Sequence, residues 1–413
     1  MKRLTVFLLT AILVLTSAAP IAAAESAKTY TNVILMIGDG MGENHLALAK
    51  QERGISLYME NNCDVRGYSK TRSVSNRVTD SAAGGTALAT GVRTNNRYVA
   101  SYFYDPLCWF SMPRTLAEAA KDSGRRSGVI TTDRTDGATP SSFTVHTSDR
   151  DNSADISAQQ AKSPLDLIWG GTVETFSAAE AEANGFTVVT TAQEMQALEP
   201  GSKSFAQFDV NTMWRTKVPE GSTSPTLSQM TEKAIDLLQN RNGFFLMVEG
   251  AHIDKHSHGS NDADNYDKKV SNAAQAVEEF DHAIEVAAEF AKQDGNTLVV
   301  VTADHETGGI TLKDGKYVYT KTSHTNADVP VFVFGSKDLL AAGEHIENRQ
   351  VARRIGKAMG LPAEAFPASM PGKITVYARK ALPRLREGVD ADSIQEVWAL
   401  TRDLFRNLFP KKG

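Results

Sequence analysis

The sequence predicts an α/β fold in which helices cover both faces of a central, mostly parallel β-sheet, giving three layers. Two observations carry this prediction. Four apolar, β-branched runs are typical of buried parallel strands, at residues 32–37, 127–130, 244–248 and 297–301. Between them lie helical patterns at 113–123, 226–239 and 271–292, each with apolar residues three or four positions apart. Strands that alternate with helices predict a parallel sheet covered on both faces.

The N-terminus has the pattern of a secretory signal. Lys2 and Arg3 precede a mostly apolar stretch from Leu4 to Leu15, and Ala22-Ala23-Ala24 follows, so cleavage is expected after Ala24. The apolar stretch is shorter than the roughly 20 residues that a spanning helix needs. We therefore expect residues 1–24 to be a signal peptide and the mature protein to be exported to a periplasmic or extracellular location.

Composition and charge narrow the function classes. The chain is 41% hydrophobic, enough to build a core, and its net charge of −5 argues against nucleic-acid binding through backbone phosphates. The two cysteines, Cys63 and Cys108, are either a disulfide in an oxidising compartment or two free thiols.

Carboxylates follow three of the four predicted strands. Asp39 follows the first strand, Glu249 the third, and Asp304 and His305 the fourth. Taken singly, an Asp after a strand is more often a turn former or a helix cap. At three strand ends of one parallel sheet such groups would converge and repel each other, and a bound cation is the usual way to stabilise them. Oxygen and imidazole ligands together suit Zn²⁺, and oxygen ligands alone suit Mg²⁺.

A histidine-rich stretch, VEGAHIDKHSHGS, follows the third strand at 248–260. Asp254 and His258 are four residues apart, so on a helical turn they face the same side and can bind one metal. His252 and His256 fall on other faces and are expected to be bystanders. For His324 the sequence alone gives only a loop.

Ser81 is the candidate nucleophile. It would begin a helix of small residues that ends at Gly91, where backbone N–H groups and the helix dipole favour an anion. The alternative is that Ser81 or Asp80 is a plain N-cap. No G-x-S-x-G elbow surrounds Ser81, so a Ser-His-Asp hydrolase is weakly supported. Activation of the hydroxyl by a metal is the alternative to activation by a histidine.

Six motifs, in order, resemble those of alkaline phosphatases over about residues 30–360. They are NVILMIGDGMG at 32–42, TDSAA at 79–83, ATP at 138–140, VEG at 248–250 continuing through Ile253-Asp254, TADHE at 302–306, and SHT at 323–325 followed by DVPV. The resemblance implies an alkaline-phosphatase-like fold for a catalytic domain at 25–360.

The same resemblance implies two Zn²⁺ and one Mg²⁺. One zinc would be bound by Asp254, His258 and His324, the other by Asp39, Asp304 and His305, and magnesium by Asp39, Thr139 and Glu249. Ser81 would be the nucleophile, attacking small phosphate monoesters to form a phosphoserine, and Arg150 would hold the phosphate. Asp80 and Lys255 would lie just behind these groups.

One position departs from the family pattern. Gly137 stands where the family usually has histidine or aspartate beside the third metal. This departure puts the identity of that metal in doubt. Asp136, one residue earlier, is a candidate to reach the metal through water.

Residues 361–413 extend beyond the family resemblance. From Pro371 on, nine Lys or Arg residues stand against five Asp or Glu, and an apolar helical stripe runs through 392–409. The extension is either a helix packed on the domain or a helix that docks on a partner or a membrane surface. The motifs leave the oligomeric state open and are compatible with a homodimer.

The sequence thus predicts a metal-dependent phosphomonoesterase. The alternatives are a phosphodiesterase or sulfatase of the same superfamily, and a non-catalytic protein that binds metal or phosphate. The serine at position 81 argues against a diesterase, since such relatives commonly have threonine there.

Overall fold

The computed structural model describes residues 28–101, 112–258 and 263–362, with the side chains of 263–266 left aside. The expected signal peptide, Cys108 and almost all of the C-terminal extension lie outside these ranges. The signal, the disulfide and the role of the extension therefore stay predictions. Within the described residues, no helix combines the length and apolar character needed to cross a membrane.

A ten-stranded sheet forms the centre of the protein. The strands are, in chain order, β1 (Asn32–Ile37), β2 (Val65–Lys70), β3 (Arg126–Arg134), β4 (Leu167–Gly171), β5 (Thr187–Val189), β6 (Ser204–Phe208), β7 (Phe244–Glu249), β8 (Thr297–Thr302), β9 (Glu306–Thr307), β10 (Thr311–Lys313), β11 (Lys316–Val318), β12 (His324–Thr325), β13 (Val329–Phe334) and β14 (His345–Glu347). The order across the central sheet is β14-β2-β13-β8-β1-β7-β3-β4-β6-β5. Its pairs are parallel except where β13 meets β2 and β8. Two small antiparallel pairs, β10 with β11 and β9 with β12, lie outside it.

Helices connect these strands and pack on the sheet. The described helices are α1 (Glu43–Arg53), α2 (Tyr58–Asn62), α3 (Ser81–Thr90), α4 (Leu116–Asp122), α5 (Ala138–Thr144), α6 (Ser153–Ala161), α7 (Ala178–Ala183), α8 (Ala192–Gln196), α9 (Leu227–Leu238), α10 (His252–Ser257), α11 (Ala263–Asp294) and α12 (Asn348–Ala358).

The sheet is buried on both faces. Along β1, Ile34 and Met36 join one apolar cluster with α9 and α11, whereas Val33, Leu35 and Ile37 join a second cluster with α4 and α12. Alternate residues of a strand point to opposite faces, so two clusters mean two covered faces. The predicted three-layer α/β fold is therefore confirmed.

The four predicted strands are all present, and β3 is longer than predicted because it continues through Thr131 and Thr132 to Arg134. The predicted helices are also present, although α11 begins at Ala263 instead of Ser271. In α9, Thr226 caps the helix in a capping box with Gln229, which is why the helix begins there.

Candidate active site

Three neighbouring strands bring the predicted carboxylates together. Because β1 pairs with β7 on one side and β8 on the other, Asp39, Glu249 and Asp304 emerge at one edge of the sheet. All three are buried, with 7%, 1% and 0% of their surface exposed. The backbone N–H of Gly40 donates to Asp304 Oδ1 at 3.2 Å and joins the loops after β1 and β8.

This concentration of carboxylates changes their protonation. Burial and the charge of Asp304 raise the pKa of Asp39 well above its usual value. Burial and the charge of Asp254 raise the pKa of Asp304 to about 7, and burial and a neighbouring aspartate raise the pKa of Glu249 to about 8. Burial also acts to raise the pKa of Asp254, but a hydrogen bond from His258 and nearby imidazoles hold it well below its usual value. A positive charge among these carboxylates would therefore be stabilised by them.

His258 and His324 are both held in the manner of metal ligands. Each Nδ1 lies 3.0 Å from a backbone carbonyl oxygen, that of Thr322 for His258 and that of Thr79 for His324. A carbonyl oxygen only accepts, so each Nδ1 donates its proton there, and Nε2 is the ring atom that would bind a metal. Both Nε2 atoms face Asp254, at 3.1 Å and 3.5 Å. A second partner on the other ring nitrogen is usual for metal-binding histidines.

Two short elements, α10 and β12, position these histidines. Asp254 lies in α10 and His258 directly follows that helix, so the predicted spacing of four residues does place them side by side. His324 is brought in by β12, which pairs with β9 so that His324 lies opposite Thr307. That pairing joins residues far from the histidine-rich stretch, which is why sequence reasoning alone did not find His324.

His305 lies between the carboxylates and Ser81. Its Nε2 is 3.1 Å from Asp304 Oδ2, 3.5 Å from Asp39 Oδ1 and 3.2 Å from Ser81 Oγ. Its Nδ1 is 3.2 Å from the hydroxyl of Thr307. Burial and the neighbouring His324 lower the pKa of His305 well below its usual value, which favours the neutral form that binds metal.

The donor set fits two adjacent cations. Ligand atoms of Asp254, His258 and His324 all lie within 4.8 Å of one another, and so do those of Asp39, Asp254 and His305. Asp39 Oδ1 and Asp304 Oδ2 are buried without a hydrogen-bond partner among the described residues. Such atoms are costly unless a cation or another group satisfies them. Asp254 belongs to both groups, whereas the prediction assigned it to one.

Ser81 is the first residue of α3, as predicted, and is 6% exposed. Asp80 is the N-cap, and its Oδ1 accepts from the Ala83 N–H at 3.0 Å. A Cβ added at Gly84 would lie 2.9 Å from the backbone oxygen of Asp304. Glycine at position 84 therefore lets α3 approach the loop that carries the metal-ligand candidates.

Arg150 reaches the same helix end. Its Nη1 donates to Asp80 Oδ2 at 3.1 Å, and its side chain is 29% exposed. The backbone N–H of Arg150 donates to the Arg97 carbonyl oxygen at 3.0 Å, which fixes the loop. A guanidinium that pairs with Asp80, the residue before Ser81, and is still partly exposed is suited to binding an anion there.

Of the three residues predicted to bind the third metal, Thr139 lies close to Asp39, whereas Glu249 has no described contact with either. Thr139 Oγ1, in α5, is 3.4 Å from Asp39 Oδ2. Glu249 accepts a short hydrogen bond from the Thr131 hydroxyl. Asp39 thus faces both the imidazole of His305 and the hydroxyl of Thr139.

Two residues near this position, Lys255 and Asp136, have partners that the sequence did not indicate. Lys255 Nζ pairs with Asp133 Oδ1 at 2.5 Å, and sequence reasoning missed Asp133. Asp136 instead pairs with Arg134 at 2.9 Å and accepts from the Ser153 hydroxyl at 2.5 Å. A carboxylate at the end of a strand is the pattern that could have indicated Asp133. The strand was predicted to end at Ile130, so Asp133 was not recognised.

The other two histidines of the stretch pack on a tryptophan. The ring of His252 stacks on Trp214 at 5.5 Å between centroids, and that of His256 meets Trp214 edge-on at 4.4 Å. Neither belongs to a ligand group among the described residues, and their role as bystanders stays a prediction.

Comparisons with known proteins point to one family. A sequence model of the alkaline phosphatase family matches residues 30–167 and 173–332. Alkaline phosphatase 4 of Bacillus subtilis (strain 168) is 32% identical over 310 residues, which are 68% of this chain and 62% of that relative. This chain thus spans less than two thirds of that relative's length.

Solved structures give the same result. Alkaline phosphatase from the Antarctic bacterium TAB5 is 29% identical with a TM-score of 0.70, covering 81% of this chain and 99% of that one. A variant of the TAB5 enzyme with a histidine replaced by glutamate has Mg bound in its M3 site. It has a TM-score of 0.67 at 28% identity, with the same coverage.

Proposed function

The chain belongs to the alkaline phosphatase family, and from that premise we propose that it hydrolyses phosphate monoesters through a phosphoserine intermediate on Ser81. The observation that carries this proposal is the position of Ser81. Its Oγ lies at a helix N-terminus and 3.2 Å from His305 Nε2, beside the two groups of metal-ligand candidates. A binding protein would need the ligands but not this hydroxyl.

We assign the metal-binding roles as the family resemblance implies. Asp254, His258 and His324 would bind one Zn²⁺, and Asp39, Asp304 and His305 the other. Asp39, Thr139 and Glu249 would bind Mg²⁺, and the magnesium in the TAB5 variant supports this choice of metal. Bound zinc would lower the pKa of a coordinated hydroxyl and stabilise charge on the reacting oxygens.

The residues of the chain then have separate tasks. Ser81 Oγ gives its proton to solvent and attacks phosphorus, so an O–P bond forms to Ser81 while the bond to the alcohol oxygen breaks and that oxygen takes up a proton from solvent. The N–H groups at the start of α3 and the guanidinium of Arg150 would stabilise the negative phosphoryl oxygens. Water then attacks the phosphoserine, which restores the Ser81 hydroxyl and releases inorganic phosphate. Asp80 would hold Arg150 in place.

We assign this activity to a domain at residues 25–360, exported by the signal at 1–24 and followed by an extension at 361–413. The support for export is the arrangement of a short charged segment, an apolar stretch and three alanines.

The test is the Ser81→Ala variant. Turnover of nitrophenyl phosphate should fall by about 10³-fold or more, because the loss of a nucleophile removes the covalent route. Acid quenching with labelled substrate should trap phosphoserine in the wild type but not in the variant. Ser153→Ala is a matched control, since Ser153 hydrogen-bonds to Asp136 and not to the cluster.

Three outcomes would contradict the proposal. The first is full turnover by Ser81→Ala, and the second is activity that survives thorough chelation. The third is faster hydrolysis of a nitrophenyl diester or sulfate than of the monoester, which would favour the related phosphodiesterase or sulfatase chemistry.

A further inference from the structure

Position 137 lacks a side chain for reasons of space. Gly137 has φ −53°, a value open to any residue, so the backbone does not require glycine here. A Cβ on Gly137 would lie 2.6 Å from Asp133 Oδ2, 3.1 Å from Asp133 Cγ and 3.1 Å from the backbone oxygen of Arg134, so the Asp133 carboxylate is the closest obstacle. The carboxylate of Asp133 therefore fills the volume that a side chain at position 137 would enter.

Asp133 is fixed in that volume by three contacts. Its Oδ1 pairs with Lys255 Nζ at 2.5 Å and accepts from the Arg134 N–H at 2.6 Å. Its own N–H donates to Thr131 Oγ1 at 2.8 Å, and that hydroxyl in turn donates to Glu249. The Thr131 hydroxyl thus accepts a hydrogen bond from Asp133 and donates one to Glu249, which links the two residues.

Asp133 is also linked to a metal-ligand candidate, because the Thr131 hydroxyl accepts from the Asp133 N–H and donates to Glu249. The side chain of Asp133 is 19% exposed, so its charge is weakly screened by solvent. After burial, that charge is the largest cause of the raised pKa of Glu249. Lys255 faces Asp133, Glu249 and Asp39, whose charges raise its pKa against the effect of burial.

Asp136 is a weaker candidate for the same place. Arg134 and the Ser153 hydroxyl both donate to its Oδ2, whereas its Oδ1 is near Arg134 Nε but has no hydrogen-bond partner among the described residues. No described contact joins Asp136 to Thr139, Glu249 or Lys255. Its proximity in sequence to Gly137 does not bring it to the cluster.

We propose that Asp133 is the acidic positioning residue of the third metal site, supplying from the end of β3 the carboxylate that position 137 does not carry. This inference rests on the proposed function, because it presupposes a divalent cation bound by Asp39, Thr139 and Glu249. Asp133 orients Lys255 and adds a negative charge that favours a hard cation next to Glu249.

The experiment removes the carboxylate from position 133, adds one at position 137, or does both. Mg²⁺ affinity is measured by calorimetry on protein loaded with Zn²⁺, for wild type, Asp133→Ala, Asp133→Asn, Gly137→Asp and the double variant Asp133→Ala/Gly137→Asp. Asp136→Asn is the matched control. The thermal midpoint of each metal-free variant reports whether it folds.

Asp133→Ala and Asp133→Asn should weaken Mg²⁺ binding by about 10- to 100-fold, the range found when partners of metal ligands are removed. Asp136→Asn should leave it unchanged. The double variant should regain most of the affinity, because the new carboxylate then has the volume that Asp133 leaves. Gly137→Asp alone should lower the thermal midpoint, since the two side chains would overlap.

Three results would overturn the inference. Wild-type Mg²⁺ affinity in both Asp133 variants excludes a role for Asp133. A double variant that binds no better than Asp133→Ala shows that the two positions do not share one space. A wild type that binds Zn²⁺ but never Mg²⁺ removes the proposed third site itself, and this inference with it.

Discussion

Replacement of Arg150 by alanine should weaken phosphate binding while leaving the fold intact. The guanidinium has five N–H donors, and one is given to Asp80 Oδ2 at 3.1 Å. The side chain is 29% exposed, so an ion pair of this kind contributes less than about 1 kcal/mol to stability. The stability of Arg150→Ala should therefore stay close to that of the wild type.

The size of the binding effect follows from the hydrogen bonds that a phosphate would lose. A hydrogen bond to a charged group is worth about 1.5–3 kcal/mol, and about 1.4 kcal/mol corresponds to a factor of ten. The inhibition constant for inorganic phosphate should thus rise by about 10- to 150-fold. Arg150→Lys should lie between wild type and alanine, because lysine keeps the charge but not the planar fork.

Competitive inhibition of nitrophenyl phosphate hydrolysis measures this constant, and thermal unfolding shows whether the variants fold. If Arg150→Ala binds phosphate within about twofold of the wild type, Arg150 does not contact the bound anion and its assignment is wrong. Equal effects of lysine and alanine would show that charge alone is insufficient and that the fork geometry matters.

Two other predictions concern stability. In metal-free protein, Glu249 (pKa about 8) and Asp304 (pKa about 7) bind more protons folded than unfolded, where ordinary carboxyl values apply. Buried histidines with lowered pKa values, such as His45 and His305, act in the opposite direction below about pH 7, so the free energy of unfolding should fall, by about 1–2 kcal/mol, as the pH rises from about 7 to 8 in denaturant titrations; a rise in this window would refute the sign. The free energy of unfolding should be lower by about 1 kcal/mol in Asp80→Ala and by less than half of that in Asp80→Asn, because asparagine still caps α3. Equal denaturation curves for the two variants would show that Asp80 does not stabilise the protein as an N-cap.

Sequence reasoning found the strands that organise the site, because continuous apolar runs survive as β1, β7 and β8. It missed the other six strands of the central sheet, which are β2, β4, β5, β6, β13 and β14. Of these, β4, β5 and β6 are short. Glycines end β4, and a glutamine interrupts the apolar residues of β6. Short mixed runs of this kind do not separate strands from other structure by periodicity.

For the site, strand ends and the spacing of four residues were enough to indicate Asp39, Glu249, Asp304 and His258. His324 needed the family resemblance, since its place depends on the pairing of β12 with β9. Asp133 was missed because Thr131 and Thr132 gave the run a polar appearance. Both threonines are buried and continue β3, so Asp133 comes near the end of the strand.

The hydrogen bonds of the site connect the segment that carries Ser81, the proposed nucleophile, to the metal-ligand candidates. Thr79, two residues before Ser81, accepts from His324 Nδ1 through its carbonyl oxygen. Thr307 donates to Asp254 Oδ1 at 2.5 Å, and its hydroxyl lies 3.2 Å from His305 Nδ1. A displaced imidazole would therefore move the backbone just ahead of the nucleophile as well as a ligand. For this reason a single change in the β9–β12 pair should disturb ligand geometry and nucleophile position together.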